Sequence, residues 1–139
     1  MIDIENKVIT LIDAAFTAAG KTVKVSAAYN PEPSQFPYCY IEQSGNSTYQ
    51  NSRDESLKEH HARVAFSIVI YSNLAGGSKS EAKALAQIAD DTMQNIKFTR
   101  TDYDFFQDDR NISRIVMRYS AIVMEGVAVG NDTVYQIYR

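Results

Sequence analysis

The stretch HARVAFSIVIYS, residues 61–72, sets Val64, Phe66, Ile68 and Ile70 on one face and Arg63, Ala65, Ser67, Val69 and Tyr71 on the other. A period of two with β-branched and aromatic residues at the apolar positions predicts a strand packed on a core along one side. Directly after it, residues 73–77 read as a flexible turn, and Ser78-Lys79-Ser80-Glu81 matches the capping-box pattern that opens a helix. The helix then carries Ala82, Leu85, Ile88, Ala89, Thr92, Met93 and Ile96 on one stripe, with Lys79, Lys83, Gln87, Asp90, Asp91 and Gln94 away from it. A strand followed by a helix that can lie back on its apolar face is the organising unit.

Working outward, residues 3–19 predict a first helix capped by Asp3, with Ile4, Val8, Leu11, Ile12, Ala15 and Ala19 at helical spacing, Phe16 beside them, and Gly20 as its stop. Residues 22–28 are a short strand candidate, and Asn30-Pro31-Glu32-Pro33-Ser34 breaks the pattern as a surface loop. Residues 38–44 predict a second strand, with Tyr38 and Tyr40 on the face opposite Cys39. Residues 45–60 are polar apart from Tyr49 and Leu57, and are expected to form a protruding hairpin or loop, mobile until an assembly orders it. Residues 97–106 alternate aromatic and polar, and 107–111 read as a polar turn. Residues 112–125 carry the longest strand signal, with Ile115, Met117, Tyr119, Ala121 and Val123 on one face and Arg114, Arg118 and Ser120 among those on the other; 133–139 form a last short strand. The expected fold is a single α+β domain over 1–139, two helices on one face of a mostly antiparallel sheet of four to six strands.

Composition narrows the function classes. Hydrophobic residues are 45% and charged residues 22% of the 139, as in a globular domain. The net charge of −3 argues against a dedicated nucleic-acid binder, since those carry a basic excess. With Cys39 as the only cysteine, no intrachain disulfide can form. The first twenty residues lack the features of a signal peptide, and no apolar run is long enough to span a bilayer, so no membrane partner is expected.

Candidate chemistry is sparse. His60 and His61 would point to opposite faces of a strand and cannot chelate one ion together. Asp102, Asp104, Asp108 and Asp109 lack the glycine and terminal glutamate of a calcium loop. Cys39 sits at an inward strand position, where a structural thiol is favoured over a nucleophile. Gly76-Gly77 does not have P-loop spacing. None of these patterns singles out a catalytic constellation. Tyrosine is abundant, with Tyr38, Tyr40, Tyr71, Tyr119, Tyr135 and Tyr138 on strand faces or near the end. With both helices on one side of the sheet, the second side needs a cover, which these tyrosines or a neighbouring subunit can supply.

The order of elements and several local patterns resemble the tail terminator or tail completion proteins of long-tailed bacteriophages. The likeness runs through the N-terminal helix ending at a glycine, Phe36-Pro37-Tyr38-Cys39-Tyr40-Ile41 entering a strand, and the charged loop before Val64–Tyr71. It continues through Glu81-Ala82-Lys83-Ala84-Leu85-Ala86, Arg114–Val123 and the closing Ile137-Tyr138-Arg139. It implies a non-enzymatic virion protein without cofactor, forming a hexameric ring that caps the tail tube, ends its polymerisation and presents a surface to the head-tail connector. It also implies location at the head-proximal end of the tail, after assembly in the host cytoplasm. Candidate contacts with the neighbouring subunit or the tube are Tyr49, Arg53, Asp54, Glu55, Lys58, Glu59, Arg114, Arg118, Tyr135 and Tyr138. Six copies would carry about −18, a field that repels DNA in the lumen. A head-completion or connector protein of similar size is one alternative, and a small α+β enzyme or ligand-binding domain another.

Overall fold

The computed structural model describes residues 4–27, 35–48, 61–107, 112–129 and 132–138. The alternating stretch is a strand, β3 (His61–Ser72), the first of two long strands at the centre of the sheet. On one side it pairs antiparallel with β2 (Tyr38–Thr48), on the other with β5 (Ser113–Val129). The short β1 (Lys24–Ser26) runs parallel to β2 at one edge. β4 (Thr99–Gln107) pairs antiparallel with the first half of β5, and β6 (Asp132–Tyr138) with its second half. The six strands run in the order β1-β2-β3-β5-β4, with β6 also on β5.

Helices α1 (Glu5–Ala18) and α2 (Ser78–Asn95) lie on the same face. Beneath them Cys39, Ile41, Val64, Phe66, Ile68, Ile70, Ile115, Met117, Tyr119 and Val123 are buried, each at the inward phase of its strand. Phe66 meets Phe98 edge-on at 5.5 Å between ring centres. The expected α+β architecture, with two helices on one face of a mostly antiparallel sheet, is the observed one. The hairpin reading of the polar segment agrees with β2 and β3 pairing out to Thr48 opposite Ala62; the expected mobility of 45–60 falls chiefly on 49–60, outside the described residues.

Several local expectations are corrected. The α1 stripe is Ile4, Val8, Ile12 and Phe16, whereas Leu11 is 44% exposed and Ala19 lies outside the core. The i, i+4 row through Phe16 wins because the largest side chain on that side has the most apolar area to bury. α1 begins at Glu5 with no side-chain cap; its start is instead tied to β2, Ile4 N donating to Gln43 Oε1 at 3.0 Å and Gln43 N to Glu5 Oε2 at 2.9 Å. The capping box of α2 is likewise not formed. Ser78 already lies inside the helix and its hydroxyl meets that of Ser113 at 2.8 Å, while Ser72 Oγ donates to Glu81 Oε1 at 2.6 Å. The polar side chains of that motif thus bolt the helix to the ends of β3 and β5.

Both helices stop in the same way. Lys21 N and Gly20 N return to Phe16 O and Thr17 O, and Phe98 N and Lys97 N return to Met93 O and Gln94 O. This double return needs a left-handed residue just past the helix. Gly20 supplies it at φ +74°, while Lys97 adopts φ +72° despite its side chain.

Candidate interface on the open face of the sheet

Opposite the helices, strand register lays the outward residues out in cross-strand rows. One row runs Tyr38, Tyr71, Arg114, Phe106 across β2, β3, β5 and β4. The next runs Tyr40, Val69, Val116, Asp104, and the third Glu42, Ser67, Arg118, Asp102. Neighbours in such rows stand close enough for side chains to interact. Tyr38 and Tyr71 pack with ring centres 6.0 Å apart and, with Tyr40, form a small buried cluster supported by Phe36, Val69 and Ile112. The Arg114 guanidinium carbon lies 4.5 Å from the centre of the Phe106 ring, a cation–π stack, and its Nε is buried without a hydrogen-bond partner. Arg118 approaches Asp102 at 3.5 Å and Asp104 at 3.9 Å; all three side chains are half exposed, so these pairs orient more than they stabilise.

These rows enclose a shallow depression of about 530 Å³, walled by Tyr40 and Glu42 on one side and Asp104 and Phe106 on the other. Phe106 remains 45% exposed at its rim. Burial first, then the hydrogen bond and charge of Glu42, push the Tyr40 phenol up to about 12, so it stays neutral. The face therefore offers tyrosine rings, an aliphatic floor, two guanidiniums and three carboxylates, a mixture suited to protein contact.

The candidate contact residues divide into three groups. Arg114 and Arg118 come together here. Tyr135 and Tyr138 belong to β6, where register sets them opposite Glu125 and Ile122. Tyr49, Arg53, Asp54, Glu55, Lys58 and Glu59 lie outside the described residues. Tyr119 does not join the other tyrosines but is buried beneath α2, where its hydroxyl donates to Asp90 Oδ1 at 2.6 Å. Asp90, expected on the outer side of α2, faces the sheet instead and also holds Arg100 at 2.9 Å. Among the described residues no three His, Cys, Asp or Glu side chains converge as metal ligands, and burial pushes the Cys39 thiol well above its ordinary value. No described helix is long and apolar enough to cross a membrane.

The chain matches no family model and no curated protein. Sequence reading anticipated the tyrosines on the second face and the arginines of β5, but not Glu42, Asp102, Asp104 and Phe106. Glu42 lies on β2 and the other three on β4; strand order brings them to one face, because β3 passes over β4 in the chain to pair with β5, which in turn carries β4 on its far side.

Proposed function

We propose that this chain is a structural, ring-forming protein of the tail-terminator type, which caps a phage tail tube, ends its growth and presents a surface to the head connector. The observation that carries the reading is the one-sided cover of the sheet. Both helices lie on one face, and the other face holds Arg114, Arg118, Phe106, Asp102 and Asp104 in ordered rows beside a depression. Such a mixed face, left to solvent in an isolated protomer, suits a heterologous contact repeated around a ring. The resemblance in element order and in the motifs around residues 36–41, 64–71, 81–86 and 114–123 supports the same reading. The partners are then further copies of the chain, the tail tube protein and the connector; the role requires neither catalysis nor a cofactor, and net negative charge keeps passing DNA unbound.

Native mass spectrometry of the protein alone and mixed with assembled tail tubes tests the proposal. A ring of defined copy number, alone or on tubes, with tube length fixed on addition, is the expected outcome. A protein that remains monomeric and leaves tubes growing overturns it. Tight, salt-sensitive binding to duplex DNA in a mobility-shift assay would move a connector role ahead of termination.

A further inference from the structure

The edge of the sheet at β4 carries a second surface. β4 pairs with β5 along one side only, and among the described residues its other side has no strand partner. Its inward residues Tyr103 and Phe105 stand opposite Met117 and Ile115, yet α2 does not fully cover them, and Tyr103 is 44% exposed. Two contacts fix how helix and strand lie. Asp90 meets Arg100 at one end, and Lys79 Nζ sits 5.2 Å from the centre of the Phe105 ring at the other. Residues 90 to 79 span about 16 Å of helix and 100 to 105 about 17 Å of strand, so α2 and β4 run alongside each other in opposite directions.

Between them lies a cleft of about 330 Å³ lined by Lys83, Gln87, Asp90, Arg100, Tyr103 and Met117. With Lys79 the groove holds three cations, and its one lining carboxylate, Asp90, is engaged by Tyr119 and Arg100. No carboxylate among the described residues pairs with Lys79 or Lys83. A basic groove thus runs beside a strand edge that, among the described residues, pairs with no second strand, in a chain whose net charge is −3.

We propose that the groove between α2 and β4 docks an extended acidic segment of a partner protein, which adds as a further strand on the β4 edge. Strand addition uses the alternating N–H and C=O groups of the edge for affinity and side-chain pockets for specificity. Lys79 and Lys83, four apart on a helix, stand about 6 Å from each other. Alternate residues of a strand stand about 6.8 Å apart on one face. A segment with Glu or Asp at every second position therefore brings successive carboxylates beneath successive lysines. The bulge between Arg100 and Asp102 leaves Asp102–Phe106 as the regular pairing stretch. A second copy of β4 is a poor occupant, because an antiparallel register centred on Tyr103 sets Asp102 against Asp104. A nucleic acid would gain the cations but not the edge amides, and would meet the carboxylates of Asp102 and Asp104 on the same strand.

The test uses the full chain and an acetylated, amidated eight-residue peptide alternating glutamate and threonine, followed by amide chemical shifts and exchange protection. The expected result is saturable binding, with new protection confined to alternate amides of residues 102–106. Lys79→Glu with Lys83→Glu should weaken it by about tenfold or more. Both lysines are exposed, so the double variant should keep the wild-type spectrum elsewhere. A peptide with proline at its two central positions should lose binding, since it cannot complete the ladder. Absence of binding at millimolar peptide overturns the proposal, as does binding without protection on β4. Preferential binding of a single-stranded oligonucleotide in the same groove also overturns it.

Discussion

Replacing Tyr119 by Phe tests how the sheet is joined to α2. The Tyr119 ring is fully buried, its hydroxyl donates to Asp90 Oδ1 at 2.6 Å, and Arg100 reaches the same oxygen at 2.9 Å. A hydrogen bond to a charged group contributes about 1.5–3 kcal/mol. Because Arg100 stays on the carboxylate, Asp90 is not orphaned, and the loss should fall near the lower end, about 1.5–2 kcal/mol. With an unfolding entropy of about 2.1 cal/mol/K per residue, that lowers the Tm of this 139-residue chain by about 5–7 °C. Urea and thermal unfolding followed by circular dichroism measure it, and a double-mutant cycle with Asp90→Asn should return a coupling of about 1 kcal/mol or more. The pH dependence carries a definite sign. Burial first, then the hydrogen bond to Asp90 and its charge, raise the Tyr119 phenol above its ordinary value. A group raised in the folded state contributes fully below its unfolded value of about 10 and progressively less as pH climbs past it. The stability gap between wild type and Tyr119→Phe should therefore narrow between pH 9 and 11, both in the absolute values and in the midpoints. A gap under about 0.5 kcal/mol at pH 7, or one that widens in alkali, would refute the reasoning.

Other variants probe other joints. Ser78→Ala leaves the buried Ser113 hydroxyl without its 2.8 Å partner and should cost about 1–2 kcal/mol in denaturant unfolding, part of which returns in Ser78→Ala/Ser113→Ala. Lys97→Gly relieves the left-handed backbone at φ +72° and should stabilise by about 1 kcal/mol, read as a raised Tm. Cys39, fully buried with a raised thiol, should resist maleimide in the native protein and react on unfolding, as mass spectrometry can follow. Arg118→Ala should change monomer stability by less than about 0.5 kcal/mol, since its pairs are exposed, while weakening self-association or tube binding in analytical ultracentrifugation.

What the sequence revealed of this fold follows where one local pattern met one physical demand. The alternation in residues 61–72 and 112–123 is legible because a sheet covered on one side forces period two, and no tertiary choice can override it cheaply. The stripe of α2 is legible for the same reason. The capping box failed because serine and glutamate near a helix start serve other partners equally well, and here Ser72 and Ser113 were within reach. Asp90 reads as a solvent residue until Tyr119 and Arg100, distant in the chain, arrive beside it. Lys79, Lys83 and Arg100 look scattered along the sequence; only the antiparallel course of α2 and β4 gathers them. The open face was half legible: its tyrosines and arginines follow from strand phase, but the pairing of β3 with β5, which sets β2 and β4 on either side of that pair, is strand order that no single stretch encodes.

β4 and β6 occupy the same side of β5, one after the other. Thr99 opens β4 opposite Ser120, and Tyr138 lies opposite Ile122, so a single residue of β5, Ala121, separates the two. Both run antiparallel to β5, hence in one direction, and together they form a composite strand with a butt joint at that point. A β6 that slid towards β4 would meet Thr99 and compete with it for the same backbone groups. β4 therefore acts as an end stop, which blocks slippage of β6 along β5 in that one direction.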